Sequence, residues 1–437
     1  MTWLQRYRVR HYLDNSLWVF PVLASLAAIA AVRLLHWVEQ DMALESAIQP
    51  GTAIAVLGTI VSALLTSVVF VCSSLLIAVQ LVSAQLTPRI ISIVFRDPVT
   101  KLSLTLFAFM FMFSLATLIR VASSVPLLTT HVAAYGSVVS LAVFFYLIDR
   151  LGKTLRPSGA LRAVASAGGR VIESVYPYRL PGRPERVSTL SAKSPDGEAA
   201  ATITSTTEGV VLAFDQKGLL ALAQRADCVI EMVPQVGDQV AAGDVLFRIF
   251  QGGATLPASA LCASIAVGQE RTLEQDPTFA FRIIVDIALK ALSPAINDPT
   301  TAVLALDRLQ HLLRVVGNRH LDDGLIRDNA GRLRLVYRTP DWEDFVHLAV
   351  TEIRHFGGES IQVARRLRAM LEALIPAVPE ARAVLLRQEL ALLHRSAERA
   401  FVEPEDRALA EVRDFQGVGG KLGKEQRRWP ERDKDLG

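Results

Sequence analysis

Two groups of polar side chains stand out from apolar surroundings in this 437-residue sequence. The first is Ser293, Asn297, Asp298 and Thr300, in the run SPAINDPTTAVLALD. An amide, a carboxylate and two hydroxyls this close on a bend can bind a small polar ligand. The same carboxylate can instead cap a helix, because Asp accepts hydrogen bonds from free first-turn amides and Pro299 suits the first helical position. A further expectation is that this bend docks onto Arg89, which with Gln85 closes a long apolar run as AQLTPR. The second group lies within that run. At about 100° per residue, Thr52, Ala55, Thr59, Ser62, Thr66, Ser73 and Gln80 share a sector of roughly 80°, interrupted by Phe70 and Ile77. Small hydroxylated residues on one face let helices approach closely. The alternative is a pore lined by hydroxyls in a homo-oligomer.

Other chemistry finds little support. The sequence has no phosphate-binding GxxxxGK(S/T), no GxGxxG, no GxSxG and no HExxH. His347 and His355 are two helical turns apart, too far to share a metal without a third element. Cys72, Cys228 and Cys262 show neither disulfide nor zinc spacing. Arg365, Arg366 and Arg368 sit near Glu352, Glu359 and Glu372 and read as a salt-bridged, solvated helix face. The expectation is therefore no enzyme activity, no cofactor and no metal.

The elements that carry these groups follow from composition. Hydrophobic residues make up 51% of the chain and charged residues 20%, against about 25% charged in an ordinary soluble domain. Residues 1–148 hold eight basic and five acidic side chains, and the remainder holds 38 of each. A charge-poor first third followed by a charge-rich, neutral remainder implies a transmembrane domain and then a soluble one. Without a positive excess in the soluble part, nucleic acid is not expected as a partner. Four runs reach bilayer length, at about 17–35, 52–82, 102–119 and 125–148. No Asp or Glu falls within them, which argues against an ion-coupled transporter. Arg33 and His131 lie near span ends and read as snorkelling and packing residues. Basic residues are many before span one (Arg6, Arg8, Arg10), absent after it, many after span two (Arg89, Arg96, Lys101), single at Arg120, and many after span four. This alternation places both termini in the cytoplasm.

After a connector at 149–200, residues 201–252 alternate with period two, broken by the turns Val236-Gly237-Asp238 and Ala242-Gly243-Asp244. VPQVGDQVAAGDVLFRI resembles part of a barrel-sandwich hybrid, the fold of lipoyl and biotinyl carriers. Lys217, the lysine nearby, has helix-like flanks and reads as a surface residue rather than a carrier lysine. Residues 253–402 read as a mainly helical domain, with a short strand at 332–337. Residues 403–437 are charged, Gly-rich towards the end, and read as a disordered tail. The expected class is thus a membrane α-helical domain with four transmembrane helices, plus a cytoplasmic α+β domain.

Three segments, SPAINDPTTAVLALD, AQLTPRIISIVFRD (84–97) and RPSGALRAVA (156–165), resemble a bacterial family of predicted integral membrane proteins, domain of unknown function 2254. The resemblance covers nearly the whole chain apart from the tail. It implies the bacterial inner membrane and the same layout, with no established activity to carry over. Two functions remain open: an oligomeric channel-like protein with the lipid bilayer and further copies as partners, or a membrane-anchored scaffold or sensor binding a cytoplasmic protein or small molecule.

Overall fold

The computed structural model describes residues 1–42, 46, 48–91, 96–122, 125–154, 156–180, 197–252 and 256–419. They divide into two compact units: residues 1–166, 191–276 and 324–338 form the first, and 167–190, 277–323 and 339–437 the second.

The first unit begins with α1 (Trp3–Asn15), started by a capping box in which the Thr2 hydroxyl and the Gln5 side chain each bond the other residue's amide. Four helices follow that are long and apolar enough to cross a membrane: α2 (Val19–Asp41), α3 (Pro50–Gln85), α4 (Pro98–Leu118) and α5 (Leu127–Thr154). Two apolar clusters fix their directions. Leu57 of α3 meets Phe113 of α4 and Ala133 of α5 in one cluster. Leu75 meets Leu104 and Leu147 in the other. Chain direction therefore alternates from α3 to α5. Close approach within the bundle uses small and hydroxyl residues of α4 and α5: Ser103, Ser114, Thr117, Ala133 and Ser140 are buried. A side chain at Gly136 would run into Met110. On α3 the buried face is an apolar seam of Ala53, Leu57, Leu64, Val71, Leu75, Ala78 and Val82.

The helix ends depart from the expected spans in one consequential way. Hydropathy stops span one at Leu35, whereas α2 continues to Asp41 and carries Glu39, only 3% exposed. The expectation that the spans contain no carboxylate is corrected by this extra turn and a half.

The β-part of the first unit consists of two small sheets. One has five strands in the order β1 (Ala201–Thr204), β5 (Val245–Phe250), β3 (Val229–Met232), β8 (Leu333–Tyr337) and β7 (Leu325–Arg327). The other orders β4 (Gln239–Val240), β2 (Gly209–Phe214) and β6 (Ile265–Gly268). A core containing Val211, Phe247, Ile265 and Leu335, together with Leu219 of α7 (Gln216–Arg225), joins both sheets. The β-structure therefore reaches beyond 201–252. Arg334 explains how the late hairpin is recruited: from β8 it reaches Asp328 in the hairpin turn (2.8 Å) and Asp227 beside β3 (2.6 Å), and β8 pairs with β3 in parallel. The two Gly-Asp turns are alike. Asp238 accepts from the Gln235 amide and Asp244 from the Ala241 amide, with Gly237 and Gly243 both at φ +96°, a backbone region that favours glycine. Lys217 is exposed on α7.

Much of the expected connector is α6 (Pro157–Val175), whose first half belongs to the first unit and second half to the second. The second unit is helical: α9 (Pro277–Ala291), α10 (Pro299–Val316), α11 (Trp342–Phe356), α12 (Ile361–Leu374) and α13 (Glu380–Ala400). The short α8 (Ala258–Cys262) and α14 (Pro404–Ala410) complete the helices among the described residues.

Two expectations about this unit are overturned together. Arg365 is fully buried and Arg366 nearly so, not solvated. The Arg365 guanidinium donates to the Val412 and Gly419 carbonyls at 2.9 and 2.7 Å, and Arg366 donates to Asp307 and Gln310. Residues 404–419, expected in the disordered tail, are ordered. Asp414, 2% exposed, accepts the amides of Gln416, Gly417 and Gly419, and a buried guanidinium holds the segment from beneath. The rest of that tail, 420–437, lies outside the described residues. Removing one partner of a buried polar arrangement leaves the others unsatisfied at a cost of about 3 kcal/mol. Arg365→Met should therefore lower the thermal stability of the second unit by about that amount and open 404–419 to limited proteolysis. Intact protease resistance there would show that other contacts hold the segment.

Candidate functional site

The stripe on α3 occupies a definite place. Thr52, Ala55, Thr59, Ser62, Thr66, Ser73 and Gln80 are all exposed, on the side opposite the buried Leu/Val/Ala seam. The hydroxyls of Thr59, Ser62 and Thr66 donate to the carbonyls of Ala55, Gly58 and Ser62 at 2.8, 2.9 and 2.8 Å. Their protons are satisfied within the helix, which leaves oxygen lone pairs directed outward. Phe70, which interrupts the stripe, meets Phe144 of α5 with ring centroids 5.6 Å apart, while the small and hydroxyl residues of the stripe stay exposed. The tight helix contacts are made by α4 and α5 instead.

The Asn-Asp-Pro bend is a helix boundary. Ser293 donates to the Lys290 carbonyl, and the Asp298 amide to the Ala291 carbonyl at 2.7 Å. Asn297 takes φ +47°, a left-handed turn that Asn tolerates better than most residues. Asp298 then caps α10: Oδ1 accepts the Thr301 amide at 3.1 Å and Oδ2 the Thr301 hydroxyl at 2.5 Å. Thr300 is exposed in the first turn. Gln85 ends α3, and Arg89 follows in a short turn started by Thr87. Arg89 belongs to the first unit and Asp298 to the second. The same Asp-Pro-x-Thr device starts α4, where Asp97 accepts the Thr100 amide and hydroxyl and also pairs with Arg150 of α5 at 2.8 Å. Burial alone would raise the Asp97 carboxyl, but Arg150 and the Thr100 donors hold it below the ordinary carboxylate range.

One extended polar arrangement in the first unit was not apparent from sequence. Trp3, Tyr7 and His11 stack at intervals of four along α1, with ring centroids 5.3 Å apart for Trp3–Tyr7 and 5.7 Å for Tyr7–His11, and Asn15 follows one turn on. The end of this ladder enters a closed ring of hydrogen bonds. Arg96 Nε donates to Asn15 Oδ1 at 2.7 Å, and Asn15 Nδ2 lies 3.0 Å from His11 Nε2. His11 Nδ1 lies 2.9 Å from Glu274 Oε1, and Arg96 Nη2 donates to the same oxygen at 2.9 Å. The amide nitrogen of Asn15 can only donate, so His11 Nε2 accepts and Nδ1 donates to Glu274. Lys101 adds a bond to the Leu13 carbonyl at the end of α1. One carboxylate thereby ties α1, the start of α4 and the β-part together. Burial would raise the Glu274 carboxyl, yet the His11 and Tyr7 side chains and the charge of Arg96 hold it at about 2. Conversely, burial and that carboxylate push the Tyr7 phenol well above its usual range. The signal in the sequence was the four-residue periodicity of α1. Its partners at 96 and 274 carried none.

Four apolar helices and a β-part tied to their base define a membrane protein with an extensive non-membrane portion. The chain belongs to the predicted membrane protein family termed domain of unknown function 2254, whose profile matches residues 14–373. It is similar to uncharacterized proteins of Mycobacterium bovis and Mycobacterium tuberculosis, each 27% identical over 428 residues, covering 93% of this chain and 80% of the relative. No solved structure matches the chain.

A carboxyl depressed on folding stabilises the protein above its unfolded value, and that stability is lost as pH falls through the folded value. Glu274 falls from an ordinary 4.5 to about 2, so its contribution, of the order of 3 kcal/mol, should vanish between those limits. Melting curves of wild type and Glu274→Gln should differ most near pH 6 and converge near pH 2. A difference independent of pH would mean that the ring is held by packing alone.

Proposed function

We propose that this protein is a homo-oligomeric, channel-like protein of the bacterial inner membrane, with both termini and the β- and helical parts in the cytoplasm. The observation that carries the reading is the outward-facing hydroxyl stripe of α3. A helix surface turned to lipid alone has no use for a file of hydroxyl oxygens, whereas a path for ions or small polar solutes does. The same face suits close approach by a second copy, because its side chains are small. The basic residues at 6–10, 89–101 and 150–162 support the orientation. The two small sheets over one core support a barrel-sandwich-like module below the membrane. No catalytic step belongs to this reading.

A second reading, a membrane-anchored sensor for a cytoplasmic protein or small molecule, draws on the Glu274 ring. A ligand that shifts the β-part would pull on α1 and α4 through a single carboxylate.

Purified protein in liposomes should release an entrapped small ion or solute, and native mass spectrometry should detect an oligomer. Ser62→Leu and Thr66→Leu, which fill the stripe without touching the buried seam, should lower the flux at least tenfold. Unchanged flux in both variants removes the channel reading. Saturable binding of a cytoplasmic partner by flux-incompetent full-length protein favours the second.

A further inference from the structure

The buried carboxylate on α2 has surroundings of its own. Glu39 Oε1 accepts the Thr129 amide at 2.8 Å, at the first turn of α5, with the Thr129 hydroxyl at 3.5 Å. Glu39 Oε2 is buried and has no hydrogen-bond partner, and the same holds for His36 Nδ1, which faces it at 3.6 Å, and for the Thr130 hydroxyl. The Glu39 side chain is 3% exposed and that of His36 35%. The Gln40 amide nitrogen lies 3.1 Å from His36 Nε2. That nitrogen only donates, so Nε2 accepts and the neutral ring carries its hydrogen on Nδ1, facing the carboxylate.

A carboxylate held away from water with one oxygen unspent is costly unless a charge or a proton satisfies it. Among the described residues, the other charged groups at this end of the bundle leave that role open. Arg120, after α4, has Nη1 buried without a hydrogen-bond partner. His131 of α5 is exposed and bonds the Leu127 carbonyl. Arg33 and Asp41 of α2 are exposed.

We propose that His36 and Glu39 form a proton-binding pair at the end of the helix bundle remote from α1, with His36 as the member in contact with water and Glu39 as the store. A proton from water binds at His36 Nε2 in place of the Gln40 hydrogen bond, and the Nδ1 proton passes to Glu39 Oε2, leaving the ring neutral with its hydrogen on Nε2 and the carboxyl protonated. The reverse transfer returns it. Closing the 3.6 Å gap to hydrogen-bond distance takes a side-chain movement of less than about 1 Å. Protonation also weakens the acceptor that caps α5, so occupancy is felt at the first turn of that helix. This site is separate from the α3 stripe and does not depend on conduction.

The test is infrared difference spectroscopy of the full-length protein in lipid nanodiscs, titrated from pH 8 to pH 4. Wild type should show a carboxylic-acid C=O band from a buried group that is absent in Glu39→Gln, an isosteric change that retains an oxygen to cap Thr129. His36→Gln should keep the band but displace its midpoint by at least half a pH unit, with circular dichroism reporting unchanged helix content in both. If the Glu39→Gln spectrum superimposes on that of wild type, Glu39 stores no proton and the proposal fails. If His36→Gln leaves the midpoint in place, the pair is not coupled and the proposal fails equally.

Discussion

The arrangement of the first unit depends on one carboxylate. Glu274 receives hydrogen bonds from His11 of α1 and from Arg96 just before α4, and these residues are far apart in the chain. Without that acceptor, a guanidinium and an imidazole would be left half-buried and unmatched, which costs more than the bonds themselves contribute. Asn15 makes the arrangement directional. Its oxygen takes the Arg96 proton and its nitrogen fixes the His11 tautomer, so each of the four side chains has one workable orientation.

Aspartate followed by proline recurs as the means of starting helices. Asp97 and Asp298 both accept the amide and the hydroxyl of a threonine three residues later. Such a cap is local, and its signal lies in contiguous residues, which is why the sequence alone could offer it as one of two readings for Asp298. The apolar helices were legible for a related reason: length and absence of charge are properties of a single segment.

What escaped the sequence was long-range or lay at the ends of elements. Glu39 was missed because hydropathy falls at Arg33 and His36 although the helix runs on to Asp41. The strand at 333–337 was visible, but its place beside β3 depends on Arg334 bridging Asp227 and Asp328. The order of 404–419 depends on Arg365, and a run of arginines on a helix reads by default as solvated until something is known to lie over it. The stripe on α3 was visible as a pattern, while its direction was not. Only the buried seam opposite, which shares the same helix, shows that the stripe points away from the chain's own bundle.

The length of α3 has a mechanical consequence. At 36 residues the helix is about 54 Å long, well beyond the roughly 30 Å of a bilayer's hydrocarbon. With no proline or glycine after Gly58, it is a stiff rod. A segment longer than the hydrocarbon is accommodated by tilt, by a kink or by local thickening of the bilayer, and a run without helix breakers favours leaning over bending. Leaning would sweep its far end, next to Thr87 and Arg89, through an arc.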